Sequence, residues 1–290
     1  MNWAVLIFLG IAWGLTFPLS KIATMSGGSP LGLTFWQNVV SGLILLAFVT
    51  WKYGSLNIDR SLYPFIIIVT FLAGIFPNVI LYSAAFHIDS GILSISVSMV
   101  PMFTYILALM VGLDRFGLLR SVGLALGFFT LLVLLVPENS LPERSDVPWV
   151  LLSLLCAVFY SLENIYIDKI RPQNIGPIKI ACALSITTAG ISLPVSIISG
   201  QFFIPSHENI PLFYSLLGIG AISAIGYSMF IFLIGRAGSV FAGQTGYLVT
   251  FFGMAWGIFL LEEAHSYFVW ISFGLIMVGV FFVQPKNDNF

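Results

Sequence analysis

The stretch "YSLENIYIDK", residues 160–169, holds a carboxylate where one is hard to keep. Glu163 follows an unbroken apolar and small-polar run from Trp149 to Leu162. At a bilayer centre an ionised acid costs about 2.5–3.5 kcal/mol or more. An acid retained there implies water, a proton or a cationic partner for part of its working life. Cys156, Tyr160, Glu163, Asn164 and Ile167 fall on one helical stripe, at i, i+4, i+7, i+8 and i+11. A phenol, a carboxylate and a carboxamide on one face can bind a polar solute, hold a cation or carry a proton. A plainer reading stands beside this one. Glu163 lies about five residues inside its span, roughly 7 Å at 1.5 Å per residue, close enough to snorkel or to pair with Lys169 or Arg171.

Other polar residues interrupt apolar runs at helical spacing. Ser90, Ser94, Ser98, Pro101 and Tyr105 form one stripe; Trp13, Thr16 and Phe17 cluster; Gln37, Asn38, Asn78, Tyr82, Tyr227, Gln244, Thr245 and Tyr247 follow. Serines in membrane helices often bond their own i−4 carbonyl or pack on a neighbour. Asn78 follows Pro77 and can satisfy carbonyls freed by that kink. Tyr63, Tyr214 and Tyr267, near span ends, read as interface anchors, and His87 and Arg236 sit at membrane edges. The expected solute-binding set is Trp13, Thr16, Phe17, Asn38, Asn78, Tyr82, Ser94, Ser98, Tyr160, Glu163, Asn164, Tyr227, Gln244 and Tyr247, with Glu163 as the proton-coupling group.

Other chemistries find no support. No helix centre carries Lys or Arg, so a phosphorylated or strongly anionic solute has no countercharge. The sequence has no Walker loop, no G-x-G-x-x-G on a strand, no H-E-x-x-H and no metal-spaced Cys/His set. Cys156 and Cys182 read as small packing residues. No cofactor, metal or catalytic constellation is expected, which sets aside a membrane-embedded enzyme. A non-transporting scaffold or sensor would tolerate an apolar centre, and the stacked polar stripes argue against it. The net charge of −1 leaves no basic patch for nucleic acid.

The elements that must position these groups are membrane helices. Of 290 residues, 59% are hydrophobic and 8% charged, and mean hydropathy is +1.03. A soluble domain carries about 25% charged residues. About 20 apolar residues cross the hydrocarbon core, and ten such runs are expected: 3–24, 31–51, 62–86, 90–112, 117–136, 148–168, 176–199, 210–235, 238–261 and 266–284. The first could pass for a signal peptide but lacks a basic n-region and an A-x-A-like site, so it reads as a retained helix. The turns at 88–90 and 237–239 are short enough for tight hairpins. With both termini cytoplasmic, nine Lys and Arg lie inside, namely Lys52, Arg60, Arg115, Arg120, Lys169, Arg171, Lys179, Arg236 and Lys286, against Lys21 and Arg144 outside.

The polar stretch "PENSLPERSDVP" (137–148) divides the chain into five spans and five spans. Odd-numbered halves insert with opposite topology, so related halves form an inverted repeat. "AWGLTFPLSK" (12–21) lays on "FYSLENIYID" (159–168), which makes Thr16 and Glu163 counterparts. "AFHIDSGILSISVSMVP" (85–101) lays on "IGRAGSVFAGQTGYLVT" (234–250), and "VGLDR" (111–115) answers "FLLEE" (259–263). The expected fold is an all-α integral membrane protein, ten transmembrane helices as two inverted five-helix repeats over 1–136 and 149–290, joined by an extracytoplasmic linker at 137–148. Gly10/Gly14, Gly123/Gly127 and Gly253/Gly257, at GxxxG spacing, suit helix packing within the chain or between the protomers of a homodimer.

"AWGLTFPLSK", the Y-x3-F-H-I-D-S-G start of the fourth span, mid-helix Pro101 and the acids after the fourth and ninth spans resemble the EamA-type drug/metabolite transporter superfamily. The resemblance covers almost the whole chain. It departs from the family at "GLDR", where Asp114 only approximates a common Gly-Glu. It implies a secondary transporter of the bacterial-type inner membrane that works by alternating access, most often an exporter. The solute expected is small and neutral, zwitterionic or cationic, with proton exchange at Glu163. Uptake of a similar solute, including a quaternary amine in an aromatic cage, is the alternative.

Overall fold

The computed structural model describes residues 2–135, 141, 143–170 and 175–282. Arg171, Lys286 and residues 137–140 and 142 of the 137–148 linker therefore lie outside the described residues. The described chain is helical throughout, because backbone groups in hydrocarbon must be paired within their own segment. Helices α1 (Asn2–Met25) and α2 (Pro30–Tyr53) come first. The third run comprises α3 (Tyr63–Val69), a π-helical turn (Thr70–Ile75) and α4 (Phe76–His87), and the fourth comprises α5 (Ser90–Val97) and α6 (Val100–Met110). Then follow α7 (Leu118–Leu135), α8 (Val147–Ile170), α9 (Pro177–Ile198), α10 (Ile210–Gly243), α11 (Thr245–Leu261) and α12 (Tyr267–Phe282). Among the described residues nine helical segments are long and apolar enough to cross a membrane, and Tyr267–Gly279 is a shorter apolar helix.

Several runs expected as plain helices are interrupted. Pro101 has no N–H for the Val97 carbonyl, and the fourth run turns at Ser98 and Met99. In the third run the π turn precedes Pro77, whose carbonyl accepts from Cys156 Sγ at 3.3 Å. Gly74 within it lies so close to Thr188 that a Cβ would sit 2.4 Å from Oγ1. The real end of α10 is Gly238, at φ 82 and ψ 164, a conformation that costs glycine little. The next spanning helix starts beside it with no loop between, and tightens by i→i−3 bonds from Gln244 N to Phe241 O and Tyr247 N to Gln244 O, both 3.1 Å.

Helix α1 packs on α11 and α10, α2 on α9, α7 on α12, and α8 on α4, α5 and α6. Gly10 and Gly14 meet Leu248, Phe252 and Gly253; Gly127 meets Met102; Gly253 meets Ser94. These glycines serve contacts within the chain.

Side-chain ties define two ends of the bundle. At the end holding Asn2, the near face, Asp168 accepts from Ser239 Oγ at 2.7 Å and Ser239 N at 3.2 Å. Asp114 pairs there with Arg120 at 2.6 Å. At the far face Lys21 Nζ donates to Ile88 O at 2.9 Å and Asp89 Oδ1 at 3.0 Å. The Glu263 carboxylate accepts from Ser90 N at 2.8 Å and Gly91 N at 3.0 Å, capping the first turn of α5. Tyr63, Tyr214 and Tyr267 are exposed at helix starts, as interface anchors would be. His87 is exposed too and stacks on Trp149 with ring centroids 3.7 Å apart.

Candidate functional site

A cavity of about 190 Å³ lies in the middle of the bundle, walled by α1, α2, the third and fourth runs, α8, α9, α10 and α11. That volume equals about six waters of liquid, enough for a small solute. Ten of the expected residues border it: Trp13, Thr16, Phe17, Asn38, Asn78, Tyr82, Tyr160, Glu163, Asn164 and Tyr227. The helix breaks explain much of this convergence. The π turn brings Thr70, Ala73 and Gly74 to the wall, the Pro101 break brings Val97 and Val100, and the tightened start of α11 brings Gly243, Thr245 and Gly246.

Four expected residues are placed elsewhere. Ser94 Oγ donates to Gly91 O at 2.7 Å and faces α11, close to Gly253. Ser98 Oγ is spent on its own helix, on Ile95 O. Gln244 lies in the turn between α10 and α11, and Tyr247 is buried in an apolar cluster with Phe17, Met102 and Met254. The serine stripe of the fourth run is therefore a helix-packing face. Residues outside the expected set replace it, among them Ser20, Ser41, Thr70, Ser185, Thr188, Ser223 and Thr245.

Polar groups in the cavity fall into two decks. On the far-face side Tyr82 donates to Gln37 Oε1, and Gln37 Nε2 donates to Ser223 Oγ at 2.9 Å. Asn38 Nδ2 bonds Thr34 O at 2.9 Å and Thr16 Oγ1 bonds Trp13 O at 2.6 Å, while the Ser41 and Ser185 hydroxyls, 3.0 Å apart, lie nearer mid-depth. This deck is neutral and hydrogen-bonded. The near-face deck holds Glu163, which is 1% exposed and accepts from the Tyr227 hydroxyl. Lys169 is exposed, and among the described residues no ion pair reaches Glu163. Among the described residues no Lys, Arg or His lines the cavity, and none gives Glu163 a fixed countercharge there. The same deck carries three buried polar atoms without a hydrogen-bond partner: Thr70 Oγ1, Asn164 Oδ1 and Thr245 Oγ1. Trp13 and Phe230, in edge-on contact at 5.1 Å, supply aromatic wall.

The cavity walls combine both halves of the sequence, and so do the comparisons. The EamA-like transporter family matches residues 1–136 and again 147–284. The chain is 25% identical over 285 residues to "Uncharacterized inner membrane transporter YedA" of Escherichia coli K12, covering 96% of this chain and 89% of that one. It is 24% identical over 292 residues to "Uncharacterized transporter YvbV" of Bacillus subtilis 168, covering 98% and 91%. A solved crystal structure shares the fold at TM-score 0.68 and 18% identity, covering 98% of both chains. A helical bundle of apolar spans, a central cavity lined by polar and apolar side chains and two matches to one family along a single chain agree: this protein belongs to the EamA-like transporter family.

Proposed function

We propose that the chain is a secondary transporter that carries a small neutral, zwitterionic or cationic metabolite out across the inner membrane by alternating access, coupled to proton movement at Glu163. The observation that carries this reading is the carboxylate itself. It is buried in a cavity between spans, bonded to Tyr227 and, among the described residues, without a fixed cation. A carboxylate so placed is neutralised by a proton or by a cationic group of the solute, and exchange of one for the other couples two gradients.

The architecture proposed is ten spans in two inverted five-span repeats, 1–136 and 149–290, with 137–148 as an extracytoplasmic linker. Support comes from the double family match and from the pairing of helices. The contact of α1 with α11 and α10 is answered by that of α8 with the fourth and third runs, while α2 with α9 and α7 with α12 pair across the halves. Lys21 and Asp168, matched in the sequence alignment, tie to matched hairpins on opposite faces. The near face is assigned to the cytoplasm from the Lys and Arg bias. Ser145→Cys, at an exposed position, is then expected to react with an impermeant maleimide in intact cells. Reaction only after permeabilisation would reverse the orientation. The transport reading is tested in proteoliposomes: a pH gradient, acid outside, is expected to drive metabolite efflux from preloaded vesicles, and no gradient-dependent flux for any solute that binds the purified protein would refute it.

A further inference from the structure

The near-face deck is more specific than a carboxylate in an aromatic setting. Thr70, Asn164 and Thr245 are each at least 98% buried, line the cavity and carry an oxygen without a hydrogen-bond partner. They also share a depth. Thr70 lies seven residues past Tyr63, Asn164 six before Ile170 and Thr245 six past Ser239, all helix ends on the near face. At about 1.5 Å per residue each is roughly 9–10 Å inside. Glu163 adjoins Asn164 at the same level. Buried oxygens are rarely left unpaired, and on the far-face deck the Tyr82, Gln37 and Asn38 groups are paired. Three orphaned oxygens and one carboxylate thus line the same cavity at a similar depth, where a ligand could supply the missing hydrogens.

We propose that this deck is a primary-ammonium site, in which the –NH3+ of the solute lies against Glu163 and donates its N–H bonds to Asn164 Oδ1, Thr245 Oγ1 and Thr70 Oγ1. The inference rests on the transport reading only in taking the cavity as the solute site. Its chemistry separates two kinds of amine. A primary ammonium brings three donors. A quaternary ammonium brings charge and no donor, so binding it would leave the orphaned oxygens desolvated and unpaired, which is how sites built on hydrogen bonds reject analogues that lack them. A cavity of about 190 Å³ has room for a small amine.

The test uses two cations of one formula and nearly one volume, 3-phenylpropylammonium and phenyltrimethylammonium, titrated calorimetrically into the purified full-length protein. The primary amine is expected to bind at least about tenfold more tightly. Asn164→Leu and Thr245→Val are each expected to lower that ratio severalfold by weakening only the primary amine. Retained phenyltrimethylammonium binding shows that the variants are folded. A wild-type ratio near one, a ratio unchanged in both variants, or no binding of either cation overturns the proposal; a ratio near one is also the result for a deck merely filled by water. The outcomes distinguish the two readings. Ammonium-selective binding without any flux leaves the site standing and removes transport. Gradient-driven flux of a solute without an N–H donor, and no selectivity between the isomers, does the reverse.

Discussion

Glu163→Gln is expected to abolish pH-gradient-driven flux in proteoliposomes, to background, while the protein still folds and inserts. The amide has nearly the shape of the acid and keeps an oxygen that can accept from Tyr227. What it loses is the ability to gain and lose a proton, and with that the alternation between holding a proton and holding a cation. Among the described residues no Lys, Arg or His lines the cavity, so none of them can take over. Thermal unfolding should stay close to wild type, since removing a buried carboxylate leaves no fixed charge behind it unpaired. The opposite pattern, flux and pH profile as in wild type with a lowered melting temperature, would show that Glu163 serves only as a structural partner of Tyr227.

Gly10→Val is expected to have the largest effect on stability. A Cβ at Gly10 would lie 2.2 Å from Leu248 Cβ and within 3.1–3.2 Å of Leu248 backbone atoms. A Cβ is fixed to its backbone and cannot rotate away, so α1 and α11 must part along their length. One turn on, Gly14 is as tightly held, with Phe252 Cβ at 2.7 Å and Gly253 N at 2.9 Å. Overpacking typically costs 1–3 kcal/mol, and a clash between two backbones should reach or exceed about 3 kcal/mol. Gly190→Ala in α9 is the control, because nothing lies within 4 Å of its added Cβ. Thermal unfolding in detergent should separate the two variants clearly. Equal melting temperatures would contradict the close approach of α1 and α11.

Glu163 was legible in the sequence because a lone acid deep in an apolar run has few explanations, and Tyr160 and Asn164 followed from helical spacing. The serine stripe of the fourth run lies off the cavity for a physical reason. Spacing shows which residues share a face and nothing about what that face meets; Ser94 meets Gly253 and Thr250 of α11. Thr188 and Ser223 were passed over although Ser185 lies three residues before the one and Tyr227 four after the other, both on the cavity wall; Thr70 has only Ala73 and Gly74 on its face, and neither carries a polar group to mark it. The π turn had only Gly74 and Pro77 as signals, and its effect on the wall depends on Thr188 in another helix. The acid after the ninth spanning run was noted, but its bond to Ser90 and Gly91 joins residues more than 170 positions apart.

The loopless turn at Gly238 has a consequence for how sequences of this kind can change. Tyr227 and Thr245 stand on the two arms of that hairpin, within three turns of the bend, and both face the cavity. With no slack in the connection, one residue added or lost at 237–239 would rotate an arm by about 100° about its axis and carry its side chain off the wall. Asp168 holds Ser239 from outside the bend and opposes any such shift. Drift by insertion and deletion is thereby confined to connections remote from the site, and the bend acts as the ruler from which the positions of Tyr227 and Thr245 are measured.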